Sequence, residues 1–246
     1  MKFKRLSLSF ASIALAGTLF ASTSFAKENN GNAYGKIDLV GLGDSITFGY
    51  NLGVDNNEPS PYAFPFLMGE NAQLYVSDLG IPGWTTTDLL NAVKNDQNFR
   101  QSIKHANYVT LDIGSNDLLQ AVKVSNGNPQ LLLGQIPTML PILTNNLDQI
   151  IQEISKLTDA PIVVYNIYNP FQIGTSLHVP ANQLLSTIIN PAIAKIVQTH
   201  TNTKLADAYS AFGENQAIYV RPLDVHPTIE GQELLAKIGE TVLGFN

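Results

Sequence analysis

Four short stretches of this sequence carry side chains suited to acyl-transfer chemistry. In Gly43-Asp44-Ser45-Ile46-Thr47 a serine follows an apolar run directly. A strand-to-helix turn there presents the hydroxyl at a sheet edge as a nucleophile, although capping a helix is the commoner work of a serine in that place. Gly80-Ile81-Pro82-Gly83-Trp84-Thr85-Thr86 follows a second apolar run. Its glycines can simply turn the chain, or can aim a backbone N–H at a developing oxyanion. Gly114-Ser115-Asn116-Asp117 follows a third run and offers an amide donor for the same negative charge, or an Asx-turn. Asp224-Val225-His226-Pro227-Thr228, with Gly231 beyond, sets an imidazole base beside a carboxylate able to orient it. Each stretch is weak alone. Jointly they supply a nucleophile, a base and two oxyanion donors.

These groups must be brought together by alternating strands and helices. Ile37 to Leu42, Leu74 to Leu79, Tyr108 to Ile113, Pro161 to Ile167 and Lys204 to Asp207 read as strands, the apolar runs among them suiting strands covered on both faces. Residues 61–70, 86–95, 129–158, 181–201 and 228–243 read as helical, with Thr228 as the last N-cap. Pro137 and Pro141 are expected to kink or start helices, and Pro191 to bend or break one. Strands separated by helices pair in parallel, which gives an α/β fold, a three-layer α/β/α sandwich around a five-stranded sheet. Ligands in such sheets bind beyond the carboxyl ends of the strands, where all four stretches fall.

The four blocks resemble the SGNH/GDSL hydrolase family, over residues 37–246. The resemblance implies a flavodoxin-like sandwich and a serine esterase without cofactor or metal. GDSIT at 43–47 implies Ser45 as nucleophile, with its N–H in the oxyanion hole; LGIPGWTT at 79–86 implies Gly83 as a second donor, with Gly80 the alternative. GSND at 114–117 implies Asn116 as a third donor, and HPT at 226–228 implies His226 as base. One departure stands out. The family's last block places its Asp three residues before the His, where this chain has Leu223; Asp224 is two before it. Either Asp224 orients His226, the reading favoured because a charged partner stabilises the imidazolium, or a main-chain carbonyl such as that of Leu223 does so; Asp207 is a remoter candidate. No G-x-S-x-G elbow, G-x-G-x-x-G or Walker A pattern occurs, which disfavours an α/β-hydrolase fold and a nucleotide cofactor.

Substrate is less legible. Phe48, Tyr50, Leu52, Tyr62, Phe64 and Phe66, with the loop 168–180, can wall an acyl site or be plain core. The balance favours a small-molecule or lipid acyl ester. The rivals are a polysaccharide O-acetyl esterase, a lysophospholipase or thioesterase on the same residues, and a binding domain with a relict site.

Lys2, Lys4 and Arg5, the apolar run Leu6 to Phe20, and Ser24-Phe25-Ala26 read as a secretory signal peptide over residues 1–26, the run being short for a membrane span of about 20 residues. Polar residues 27–36 then read as a mobile mature N-terminus, ahead of a single domain over 37–246. The signal segment holds three of the 14 basic residues and none of the 20 acidic ones, so cleavage leaves a formal charge of −9. Such a surface argues against nucleic acid and anionic membranes as partners, and no stable membrane anchor is expected. With no cysteine, export leaves core packing alone to hold the fold. Four histidines in no H-x-x-x-H arrangement offer no metal signature.

Overall fold

The computed structural model describes residues 38–245; the expected signal segment, the polar stretch behind it and Ile37 lie outside them. The strands are β1 (Asp38–Gly43), β2 (Tyr75–Gly80), β3 (Tyr108–Asp112), β4 (Ile162–Tyr165) and β5 (Thr203–Ala206). All pair in parallel, in the order β2-β1-β3-β4-β5. The helices are α1 (Ser45–Phe48), α2 (Phe64–Ala72), α3 (Thr86–Asn95), α4 (Gln97–His105), α5 (Ser115–Val124) and α6 (Pro129–Ser155). They continue as α7 (His178–Leu184), a π-helical turn (Leu185–Ile189), α8 (Asn190–Gln198), α9 (Ala208–Phe212), α10 (Gln216–Tyr219) and α11 (Ile229–Leu243).

The two-residue period of a strand sorts the core into two halves. Val40, Leu42, Val109, Leu111, Ile162 and Val164 face α3, α4, α5, α6 and α8. Leu39, Val163 and Tyr165 face α2, α9 and α11. These side chains are almost wholly buried, each Val, Leu or Ile contributing about 1.5–3 kcal/mol. The outcome is the expected three-layer α/β/α sandwich. Its strand order reverses direction between β1 and β3, the switch point where such sheets bind ligands.

The proline expectations meet different outcomes, each for an identifiable reason. Pro137 and Pro141 interrupt nothing; both lie inside the single helix α6. Both are exposed, and so is Leu133. The carbonyls of Leu133 and Pro137, which lose their i+4 donors, can therefore turn to water. Pro191 does interrupt the regular α-helix of its segment: α7 ends at Leu184 and α8 starts only at Asn190. The π turn precedes it, with the Asn190 N–H donating five residues back to the Leu185 carbonyl, and the widened turn accommodates the ring. α4 and α5 were not expected. Only Phe99 and Ile103 of α4 are buried, a pattern too sparse to read as a helix, and Asp96 caps it.

Candidate active site

Strand register sets the site. Gly43 at the end of β1 lies level with Gly80 of β2 and Asp112 of β3, so the loops that follow leave one edge together. Asp44 then starts α1, its Oδ1 accepting the Ile46 N–H at 2.9 Å, and Ser45 is the first helical residue. The short helix ends at Gly49, and Gln232, fully buried in α11, donates to the Ile46 carbonyl at 2.9 Å.

The second block splits its two glycines. Gly83 is exposed, at φ +85° in a turn where a side chain would meet nothing within 4 Å, so it answers a conformational need rather than a spatial one. Gly80 is the opposite case. A Cβ there would stand 2.6 Å from the Phe48 nitrogen and 2.9 Å from the Asp44 carbonyl, and its N–H already donates to Asp78 Oδ1 at 2.8 Å. Gly80 lets β2 pack against the serine turn, and its N–H is occupied. Trp84 stacks on Phe99 at 5.5 Å, which commits one ring face to the core.

Asn116, in the first turn of α5, ties three strand ends together. Its Nδ2 donates to the Trp84 carbonyl at 2.9 Å and to Asp44 Oδ2 at 3.2 Å. Asp117 accepts from the Thr86 N–H at 2.9 Å and the Thr86 hydroxyl at 2.6 Å, and Asn146 of α6 donates to that hydroxyl at 3.2 Å. The second and third loops are thereby locked to each other.

The fourth block arrives on a hairpin. Val220 bridges Pro227, the Arg221 N–H donates to the His226 carbonyl at 3.0 Å, and the Thr228 N–H donates to the Tyr219 carbonyl at 2.9 Å. Within it the Asp224 N–H closes a turn onto the Arg221 carbonyl at 3.2 Å. Pro222 is second in that turn and Leu223 third, at φ +59°, the signature of a type II turn whose third position favours glycine. A leucine there costs about 1–2 kcal/mol. The turn brings Asp224 back over its own chain: Oδ1 accepts the Val225 N–H at 2.7 Å and stands 2.6 Å from His226 Nδ1. His226 Nε2 lies 3.0 Å from Ser45 Oγ. The ring nitrogen facing away from the serine therefore has a carboxylate beside it, not the Leu223 carbonyl, despite the shortened spacing. Asp207 lies elsewhere, capping α9 through Ser210 and accepting from Asn166 at 2.7 Å.

Charges around the site are uneven. Partial burial works against an ionised Asp224, but the His226 hydrogen bond and charge, the Val225 N–H and Asn51 outweigh it and hold its carboxyl well below the usual range. Burial pushes Asp44 up to about 7 against the Ile46 N–H and the His226 charge, and Asp117 adds to the rise. Asp112 beneath it is raised well above its usual value, by burial first and by Asp44 second.

Several supporting residues carry no motif. The Tyr50 ring lies 5.1 Å from the His226 ring. Asn51 donates to Asp224 Oδ2, Arg221 stands beside the same oxygen, and the Tyr168 hydroxyl donates to the Val225 carbonyl at 2.7 Å. Each contact spans a sequence separation that local pattern does not register, except Arg221, which sits in the same turn. Of the expected apolar wall, Phe48 and Phe64 belong to the core, Phe64 against Tyr165 at 4.8 Å, and Tyr168 stacks on Phe212 at 4.2 Å. Tyr62, Ile173 and Val179 remain exposed. No helix among the described residues is long and apolar enough to cross a membrane.

Solved structures similar in fold include lipases and esterases. The chain is similar to a phospholipase A1 from Streptomyces albidoflavus NA297, with a TM-score of 0.67 and 20% identity over 85% of this chain and 100% of that one. It is similar to the lipase Lip_vut3 from a goat rumen metagenome, with a TM-score of 0.65 and 22% identity over 84% of this chain and 97% of that one. A mutant of Axe2, an acetyl-xylooligosaccharide esterase of Geobacillus, gives a TM-score of 0.62 at 20% identity over 85% of this chain and 95% of that one. By sequence the chain is 27% identical over 165 residues, 66% of its length, to the Bacillus subtilis (strain 168) protein described as uncharacterized protein YpmR, and the match spans 63% of that relative. The model of the GDSL-like lipase/acylhydrolase family matches residues 42–234, from the last residues of β1 into α11, and the chain belongs to that family.

Proposed function

We propose that this ester hydrolase cleaves carboxylic esters through an acyl-enzyme on Ser45, with His226 as general base and Asp224 orienting it. The observation that carries the reading is the continuous line from Ser45 Oγ to His226 Nε2 at 3.0 Å and from His226 Nδ1 to Asp224 Oδ1 at 2.6 Å. In this mechanism His226 takes the hydroxyl proton as Ser45 Oγ attacks the ester carbonyl. The oxyanion draws on the backbone N–H groups of Ser45 and Gly83 and on the Asn116 amide. Collapse breaks the bond to the alcohol, which leaves with the proton from His226. Water, deprotonated by the same imidazole, then attacks the acyl-enzyme, frees the acid and restores Ser45. Asn116 must give up one of its two resting bonds to serve; the longer, to Asp44, is the natural one to yield.

For substrate, the half-buried Tyr50 and the exposed Tyr62, Ile173 and Val179 supply apolar surface suited to an acyl chain. A series of nitrophenyl esters from acetyl to long acyl, set beside acetylated xylan, tests this. Fatty-acyl esters should be cleaved faster than the polysaccharide acetyl groups, and the reverse order would assign the protein to polysaccharide deacetylation. In the same series Asn116→Ala should fold and lose about 10²–10³ in kcat, the effect of removing one oxyanion donor. Full activity in that variant would remove Asn116 from the mechanism.

Export belongs to the same reading, on the strength of the basic start, apolar run and small-residue site at Ala26. The protein recovered from the medium of an expressing bacterium should begin at Lys27. A chain retained in the cells with Met1 intact would contradict it.

A further inference from the structure

Asp224 has a second oxygen, and what holds it comes from outside the four sequence blocks. Asn51, in the segment after α1, donates from Nδ2 to Asp224 Oδ2 at 3.2 Å. Arg221 places Nε 3.5 Å from the same oxygen; this nitrogen is buried and makes no hydrogen bond among the described residues. The Arg221 guanidinium also donates to the Asn51 carbonyl at 2.9 Å, which closes a ring of Asp224, Asn51 and Arg221. The remaining polar groups of Asn51 are used as well. Its N–H donates to Asn56 Oδ1 at 2.8 Å and its Oδ1 accepts from Asn56 Nδ2 at 3.0 Å. The backbone of Asn51 sits at φ +65°, a conformation that asparagine tolerates better than most residues.

We propose that Asn51 and Arg221 are positioning residues, which hold the Asp224–His226 pair in line with Ser45 and fasten segment 51–57 to it. The proposal rests on the serine-esterase reading above. The shortened Asp-x-His spacing gives it a physical reason. Asp224 stands on a tight turn held open by a leucine in a left-handed conformation, so local backbone preference works against its placement. One face of the carboxylate is held by Val225 and His226, and the opposite oxygen needs partners from elsewhere. Asn51 and Arg221 are those partners. They also link the acid to the stretch that carries Tyr50 against the imidazole.

The test uses the full-length protein with Asn51→Gly, Arg221→Met and Arg221→Lys, next to Ser45→Ala. Glycine keeps the backbone at residue 51 and its carbonyl while deleting the amide that reaches Asp224. Each of Asn51→Gly and Arg221→Met should lower kcat about tenfold and leave KM within about twofold, as expected when a catalytic pair is misplaced by a fraction of an ångström. Arg221→Lys should restore most of the lost rate. If Arg221→Met does not fold, Asn51→Gly decides alone. Wild-type kcat in Asn51→Gly would overturn the proposal. Turnover by wild type and none by Ser45→Ala in that same experiment would leave the esterase reading standing, whereas no turnover of any acyl ester by wild type would remove the reading itself.

Discussion

Ser45→Ala should retain the fold and lose ester hydrolysis by about 10⁴ or more, the scale set by removing a serine nucleophile from a triad that works as a unit. The side chain is buried at the first position of a four-residue helix, and its Oγ faces the His226 ring at 3.0 Å. Replacing the hydroxyl by hydrogen deletes that contact and leaves Asp44 capping Ile46 and Gln232 bonded to the Ile46 carbonyl. The loss of one hydrogen bond is worth about 1 kcal/mol, so the midpoint of chemical denaturation should barely move. Measured kcat on a preferred acyl ester and a denaturation curve separate the two effects. Residual activity near that of wild type would move the nucleophile elsewhere.

Asp224→Asn should be nearly as damaging, at about 10³–10⁴ in kcat. An amide in place of the carboxylate can face His226 Nδ1 with either end. It no longer supplies the negative charge that stabilises the imidazolium. Near-normal turnover would show that a main-chain carbonyl suffices. Stability carries a second signature with a definite sign. The native environment depresses the Asp224 carboxyl below its ordinary 3.8, so ionised Asp224 favours the folded state. That contribution is fully present above about pH 4 and is lost as pH falls through the lowered native value. Wild type should therefore be the more stable protein at neutral pH, and the gap to Asp224→Asn should narrow as pH is lowered below about 4. A gap independent of pH would mean that Asp224 is not held as a carboxylate.

Much of this was readable in the sequence because strand ends are local events. Alternating apolar runs place five strands along the chain, and the residues that follow β1, β2 and β3 fall at one edge once the strands pair in register. Ser45, Gly83 and Asn116 inherit their placement from that rule. Thr228 caps the last helix as expected, accepting from the Gly231 N–H at 3.1 Å. What stayed hidden is tertiary. Whether Asp224 or a carbonyl faces His226 depends on a positive φ at Leu223, where nothing but the preceding proline hints at a type II turn. The separate duties of Gly80 and Gly83 depend on where the α1 backbone lies. Pro137 and Pro141 mislead because both face solvent, so that α6 runs on through them. Asn51 meets Asp224 across 173 residues, a distance no local pattern reaches.

A fluorophosphonate, which phosphonylates an activated serine hydroxyl with loss of fluoride, puts the central claim to its plainest trial. After reaction, peptide mapping by mass spectrometry should find one phosphonyl group per chain, on the peptide carrying Ser45, with activity lost in proportion to labelling. A folded, active enzyme that takes up no label at Ser45, or that keeps its turnover once Ser45 is fully labelled, would contradict it.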